Sequence, residues 1–207
     1  MRPGMGVQTI RSISEECYVA YFRTSKTVEG QRYRWISRST SPDFVHWSEP
    51  VEMDMGDVPP EHYYTNQTHP YFRAPHIYVS IFARFMPDRH VVTPDQAKQL
   101  GVVGDYAADC SDAAFMTSRG GNRYNRTFME SFIRPGPGLA NWGSRTNYPA
   151  LGVVPTGPAE MSCYVQRHYA QPDHHLQRLS IRADGFVSGN RSQVFCQNME
   201  GDGVSVR

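Results

Sequence analysis

The stretch Ser37-Arg-Ser-Thr-Ser-Pro-Asp-Phe-Val-His-Trp-Ser-Glu-Pro50 decides how the rest of the chain is read. Taken alone it is a strand that enters a Pro-Asp corner and folds back at an aromatic residue, and a plain β-turn with a buried Trp47 explains it. Two further segments follow the same logic. Ala114-Phe-Met-Thr-Ser-Arg-Gly-Gly121 runs into Asn-Arg-Tyr-Asn-Arg126, and Leu179-Ser-Ile-Arg-Ala-Asp-Gly185 runs into Phe-Val-Ser188. Each is a strand that meets a tight turn with Asp or Gly at its corner. An aspartate there can accept backbone N–H bonds, and a glycine can adopt positive φ. Asp43, Gly120 and Asp184 stand 77 and 64 residues apart, an interval that suits about four strands per repeat.

Outward from these turns the chain reads as strands separated by Gly, Pro, Asn and Asp. The aromatic and β-branched runs predict strands near Cys17–Arg23, Tyr33–Ser39, Ile77–Phe85, Ala113–Thr117, Met161–Tyr169 and Leu176–Arg182. One short helix is expected at Thr93–Leu100, with Thr93 as the cap, Pro94 in the first turn and Gly101 as the stop. The 207 residues are 39% hydrophobic, enough for a sizeable core. Lys and Arg number 21 against 20 Asp and Glu, so no basic field points to nucleic acid or an anionic membrane as partner. No run reaches the roughly 18 apolar residues of a membrane helix, and the first dozen residues lack the apolar middle of a secretory signal. Cys17, Cys110, Cys163 and Cys196 have neither CxxC pairing nor zinc-ligand spacing and are read as unpaired, buried thiols. Asn66, Asn125 and Asn190 begin N-x-S/T sequons, which matter only in a secreted protein.

Ser41-Pro-Asp-Phe-Val-His-Trp47 resembles the Asp-box turn of sialidases, shortened by one residue. It is more similar to the S-x-D-x-x-x-W turn of five-bladed propeller glycoside hydrolases of the invertase, levanase and arabinanase type. Glu61-His-Tyr-Tyr-Thr-Asn66, Pro70-Tyr-Phe-Arg-Ala-Pro-His-Ile-Tyr78 and Ala183-Asp-Gly-Phe-Val-Ser188 also look like a group of bacterial proteins related to family 32 glycoside hydrolases at their N-terminal domain. The expected fold is therefore an all-β propeller, five-bladed in a longer parent. Residues 1–190 would supply about three blades, and 191–207 the start of a further β unit or a tail. The resemblance implies carbohydrate as ligand or substrate.

It also implies acidic residues facing a central channel, one protonated and one ionised across the scissile bond. The expected motifs are altered here. No Asn-Asp-Pro-Asn-Gly element occurs, Thr68-His-Pro70 places His69 where an aspartate would stand, and Asn147-Tyr148-Pro149 replaces an acid-bearing Glu-Cys-Pro. Three other carboxylates are candidates for catalysis. Glu61 precedes a polar aromatic stretch, Asp112 opens a strand, and Glu160 stands at the mouth of another; each also reads as an ordinary loop, turn or strand-start acid. Arg73 and Arg84 flank the strand Ile77–Phe85 among Tyr71, Phe72, Tyr78, Phe82 and Phe85, and Arg119 crowds the second turn with Arg123 and Arg126, a set suited to vicinal hydroxyls and sugar faces. His62, Tyr64 and Asn66, in the polar aromatic stretch after Glu61, are also read as sugar-reaching residues. The alternative is that these arginines pair with turn acids. His69, Asn147 and Tyr148 complete the candidate binding set. Scattered histidines without i, i+4 spacing predict no metal, and no cofactor is expected. Two functions stay open: a hydrolase-like propeller using those carboxylates, and a non-catalytic glycan-binding or scaffold propeller.

Overall fold

The computed structural model describes residues 6–87, 89–186, 188–190 and 193–195. The chain is nearly all β, built from several antiparallel sheets. It divides into two units: Met1–Arg84 with Phe115–Met129, and Phe85–Ala114 with Glu130–Arg207.

The first unit opens with an antiparallel meander, β1 (Val7–Ser12), β2 (Cys17–Val28), β3 (Gln31–Ser41) and β4 (Val51–Glu52), hydrogen-bonded in that order. Between β2 and β3 the turn is two residues, with Glu29 at φ 50° and Gly30 at φ 81°. Both central residues being left-handed is the I′ geometry, whose twist matches the strands it joins. Residues 35–39 of β3 are buried without alternation, so both faces of the strand are covered. The Asp43 turn links β3 to β4, and there Asp43 Oδ1 accepts the N–H groups of Val45 at 2.9 Å and His46 at 2.8 Å. Those bonds, with the His46 ring nitrogen on Oδ2, hold the Asp43 carboxyl well below the usual range. Trp47 is 37% exposed, so the turn does not bury it.

After β4 come β5 (His62–Tyr63), β6 (Thr68–Tyr71) and β7 (Ala74–Met86), which is flanked by β5 and by β8 (Cys110–Ser118). β6 folds onto the start of β7, with Tyr71 opposite Ala74. The core of this unit is aromatic. Trp35 meets Tyr63 edge-on at 5.1 Å, Tyr63 meets Phe82 at 5.1 Å, and the Trp35 indole N–H donates to the Met53 carbonyl at 2.8 Å. Such ring pairs add about 0.5–1.5 kcal/mol each beyond burial. The segment after β8 is fixed through Asp54, which donates to Asn122 O at 2.7 Å and accepts from Tyr124 N at 2.8 Å. Tyr124 is thereby buried, its hydroxyl between Asn66 at 2.8 Å and Thr68 at 2.6 Å.

In the second unit the helix α1 (Pro94–Gln99) forms as its capping signals require, with Thr93 and Gln96 closing a reciprocal capping box. The first part of β8 pairs with β9 (Ser131–Ile133). A second sheet centres on β12 (Glu160–Arg167). β10 (Tyr148–Pro149) and β11 (Val154–Gly157) follow one another along one side of it, and β13 (His175–Arg182) runs along the other. The sequence pattern predicts that strand as far as Tyr169, but it stops at Arg167 because His168 and Ala170 are left-handed, at φ 51° and 59°. A short hairpin of β14 (Ser188–Asn190) and β15 (Gln193–Phe195) follows, and the rest of 191–207 lies outside the described residues. Among the described residues no helix is long and apolar enough to cross a membrane.

Candidate functional site

The three candidate carboxylates have different surroundings. In the first unit Glu61 is bound by two guanidiniums: Oε1 by Arg84 NH1 at 2.6 Å, and Oε2 by Arg126 Nε at 3.0 Å. Both arginines also reach the Met129 carbonyl, and Arg126 is fully buried with its guanidinium 5.4 Å from the Phe82 ring centre. Breaking a buried ion pair of this kind by removing one partner costs about 3–5 kcal/mol. In the second unit Asp112 is buried on β8 and accepts a hydrogen bond from the Ser131 hydroxyl. Glu160 is at the start of β12 near the surface, held by Arg178 and by the Thr156 hydroxyl at 2.7 Å.

Two of the candidate binding residues from the polar aromatic stretch after Glu61, His62 and Tyr64, come together beside three residues that local sequence does not mark. These are Arg23 of β2, and Tyr33 and Arg34 of β3. The Arg34 backbone N–H donates to His62 Nδ1 at 3.2 Å, which places the imidazole proton on Nε2. Burial, and then the neighbouring Arg34 charge, push the His62 pKa down, so at neutral pH the ring is an uncharged donor at Nε2. The Tyr33 ring lies 5.0 Å from the imidazole. Arg23 and Arg34 stand 4.7 and 5.4 Å over the Tyr64 ring. Register explains their meeting: Arg23 is opposite Ile36 and Ser25 opposite Arg34, so the two arginines are diagonal neighbours on one sheet face. All five side chains are half-buried, sheltered yet within reach of solvent.

The other first-unit candidates lie elsewhere. Asn66 is buried, with its amide spent on Tyr124 and on the Thr68 N–H. His69 Nδ1 donates to the Gln67 carbonyl at 3.1 Å, and burial lowers its pKa. Arg73 and Arg119 are exposed at turns, and Arg84 serves Glu61.

A second polar cluster forms in the second unit where β10 meets the end of β12. Arg145, Asn147, His168 and Ala170 all have positive φ, 58°, 68°, 51° and 59°. For residues other than glycine this costs roughly 1–3 kcal/mol each, and such strain collects where the surroundings fix a particular geometry. The two stretches are stitched together by Asn147 N to Gln166 O at 2.8 Å and Tyr169 N to Thr146 Oγ at 3.1 Å. Asn147 has no exposed surface; its amide donates to Ser111 O at 2.9 Å and Asn141 O at 3.0 Å and accepts from Arg167. Tyr148 follows it, half-buried in β10. Arg145 lies 4.8 Å over the Tyr106 ring and 5.5 Å over the Tyr169 ring, and its NH1 donates to both hydroxyls at 3.1 and 3.4 Å. Beside them His168 Nδ1 contacts Asp173 Oδ2 at 2.6 Å, which lowers the Asp173 pKa. Among the described residues no group of three or more His, Cys, Asp or Glu side chains is arranged to hold a metal.

No family model matches the sequence, and no curated protein matches it. Among solved structures the chain is similar in fold to the crystal structure of an N-acetylgalactosamine deacetylase from F. plautii in complex with blood group B trisaccharide. The TM-score is 0.53 at 10% identity, over 85% of this chain and 49% of that one. The chain thus spans about half the length of the protein it matches.

Proposed function

We propose that this chain is a carbohydrate-recognising, propeller-type β protein, and that Arg23, Tyr33, Arg34, His62 and Tyr64 of the first unit form its sugar subsite. The observation that carries this reading is the way His62 and the two guanidiniums are fixed. His62 offers one defined donor, and arginine forks stacked on an aromatic ring are pre-ordered for vicinal hydroxyls. The four-stranded meander β1 to β4 supports the propeller, and the fold likeness to a protein crystallised with a trisaccharide supports carbohydrate as the ligand. In that reading residues 1–190 supply about three blades of a five-bladed ring. Arg73 and Arg119 would be outer contacts at exposed turns.

Binding is placed ahead of cleavage because Glu61 has both oxygens engaged by arginine and Glu160 is paired with Arg178. In the hydrolytic alternative Asp112, buried on β8, is the carboxylate to test, as Asp112→Asn. A loss of turnover of about 100-fold or more would assign general acid–base chemistry to Asp112. The binding reading is tested by a panel of neutral oligosaccharides against the wild type, Arg23→Ala and Tyr64→Ala. Saturable binding that falls at least about tenfold in both variants is expected. Equal affinity in all three proteins would remove this cluster from recognition.

A further inference from the structure

We propose that Tyr106, Arg145 and Tyr169 of the second unit form a separate binding site for a single oxyanion group, a carboxylate, phosphate or sulfate carried by a small ligand. The argument starts from hydrogen-bond direction. A guanidinium only donates, so each tyrosine oxygen that receives a bond from Arg145 acts there as an acceptor. Each hydroxyl hydrogen must then point away from Arg145. One can be taken by the neighbouring hydroxyl, and the other is left to donate outward, next to a full positive charge. An outward donor beside a guanidinium fits a negatively charged acceptor better than a neutral hydroxyl, because charge-assisted bonds are shorter and about twice as strong.

The electrostatics of the cluster point the same way. Arg145 and Tyr106 push the Tyr169 pKa down, so negative charge is favoured at that oxygen. The His174 ring stands 5.9 Å from Tyr169, and Asp173, the acid of this turn, is already paired with His168. The corner is also rigid. Tyr106 and Tyr169 meet edge-on at 5.1 Å, and left-handed residues hold Arg145 and Tyr169 from both sides at 145, 147, 168 and 170. All three side chains are half-buried, which reduces solvent screening of the guanidinium while leaving the hydroxyls reachable.

The test is a calorimetric or NMR titration of the full chain with glucuronate, inorganic phosphate and sulfate, with glucose as the neutral control. Wild type should bind at least one of the three anions at least about tenfold more tightly than glucose, and Arg145→Gln should lose that preference. Preference for glucuronate would assign a carboxylate-bearing ligand; preference for phosphate or sulfate would assign those groups. Arg145→Lys, which keeps the charge and loses the fork, covers the case in which the glutamine variant does not fold, and should bind more weakly than wild type. The Tyr169 ionisation midpoint, read by ultraviolet difference titration, should rise in either variant, and should rise in wild type when the anion is bound. Tyr64→Ala should leave anion binding unchanged, so failure here and failure of the sugar subsite are told apart. Binding of all three anions no tighter than glucose, or equal anion affinity in wild type and a folded Arg145 variant, overturns the proposal.

Discussion

Glu15 Oε2 accepts the backbone N–H of Gly121 at 3.1 Å, so a carboxylate from the β1–β2 turn caps a turn more than 100 residues away. The Asp43 turn supplies its own acid, whereas the turn at Gly120, with φ 95°, has glycine at its corner and borrows one. Glu15 also holds Arg38 at 2.9 Å and the Tyr78 hydroxyl at 3.0 Å. Burial alone would raise its pKa, but the Gly121 N–H, Arg38 and Tyr78 more than offset that and lower it.

The lowered Glu15 pKa sets an acid limb. A carboxyl whose folded pKa lies below its unfolded value contributes stability above the unfolded pKa and loses it as pH falls through the folded one. Glu15→Gln should therefore cost about 3 kcal/mol at pH 7, because Arg38 stays buried without its charge partner, and the cost should shrink below about pH 4. Urea midpoints from pH 7 to pH 3 check this. A variant as acid-sensitive as wild type would refute it.

His62 has the opposite charge type. Its depressed pKa means that the unfolded chain takes up a proton first as pH falls, so stability drops below the ordinary value of 6.5. Its imidazole should titrate below 6.5 by NMR, and Arg34→Gln should move the midpoint upward. A midpoint at or above the ordinary value would show that the ring is not held as described.

Glu61→Gln should lower stability by about 3–5 kcal/mol, since it strips the charge partner from Arg84 and from fully buried Arg126. Denaturant unfolding measures the loss. Unchanged stability together with lost turnover would instead mark Glu61 as a chemical group.

Glu29→Asn should stabilise the β2–β3 hairpin by about 0.5–1 kcal/mol, because asparagine tolerates the left-handed first position of an I′ turn better than glutamate. Thermal unfolding reads the gain, and a lower midpoint would argue against I′ geometry.

Local signals carried the strands, the helix and the turn chemistry. Thr93, Pro94 and Gly101 announce α1 because capping acts within one turn. Ser41 and Asp43 announce their turn because the bonds they make span only a few residues. The clusters were less legible, since their members meet through register. Arg23 and Arg34 become neighbours only once the I′ turn fixes which β2 residue faces which β3 residue. Glu61 reads as a loop acid because its two arginines arrive from 23 and 65 residues downstream. The left-handed Arg145 and Ala170 carry no compositional mark, for glycine, asparagine, aspartate and histidine are the residues that favour such backbone.

The first unit is interrupted in sequence: the chain leaves it after Arg84 and returns at Phe115, and Arg126 comes only with the second visit. During synthesis Glu61 and Arg84 are therefore made well before the residue that completes their cluster. At roughly 5–20 residues per second, the 42 residues from Arg84 to Arg126 take about 2–8 s to translate. For those seconds the nascent chain lacks the guanidinium that closes the Glu61 cluster, so the first unit cannot be completed faster than the ribosome delivers Arg126.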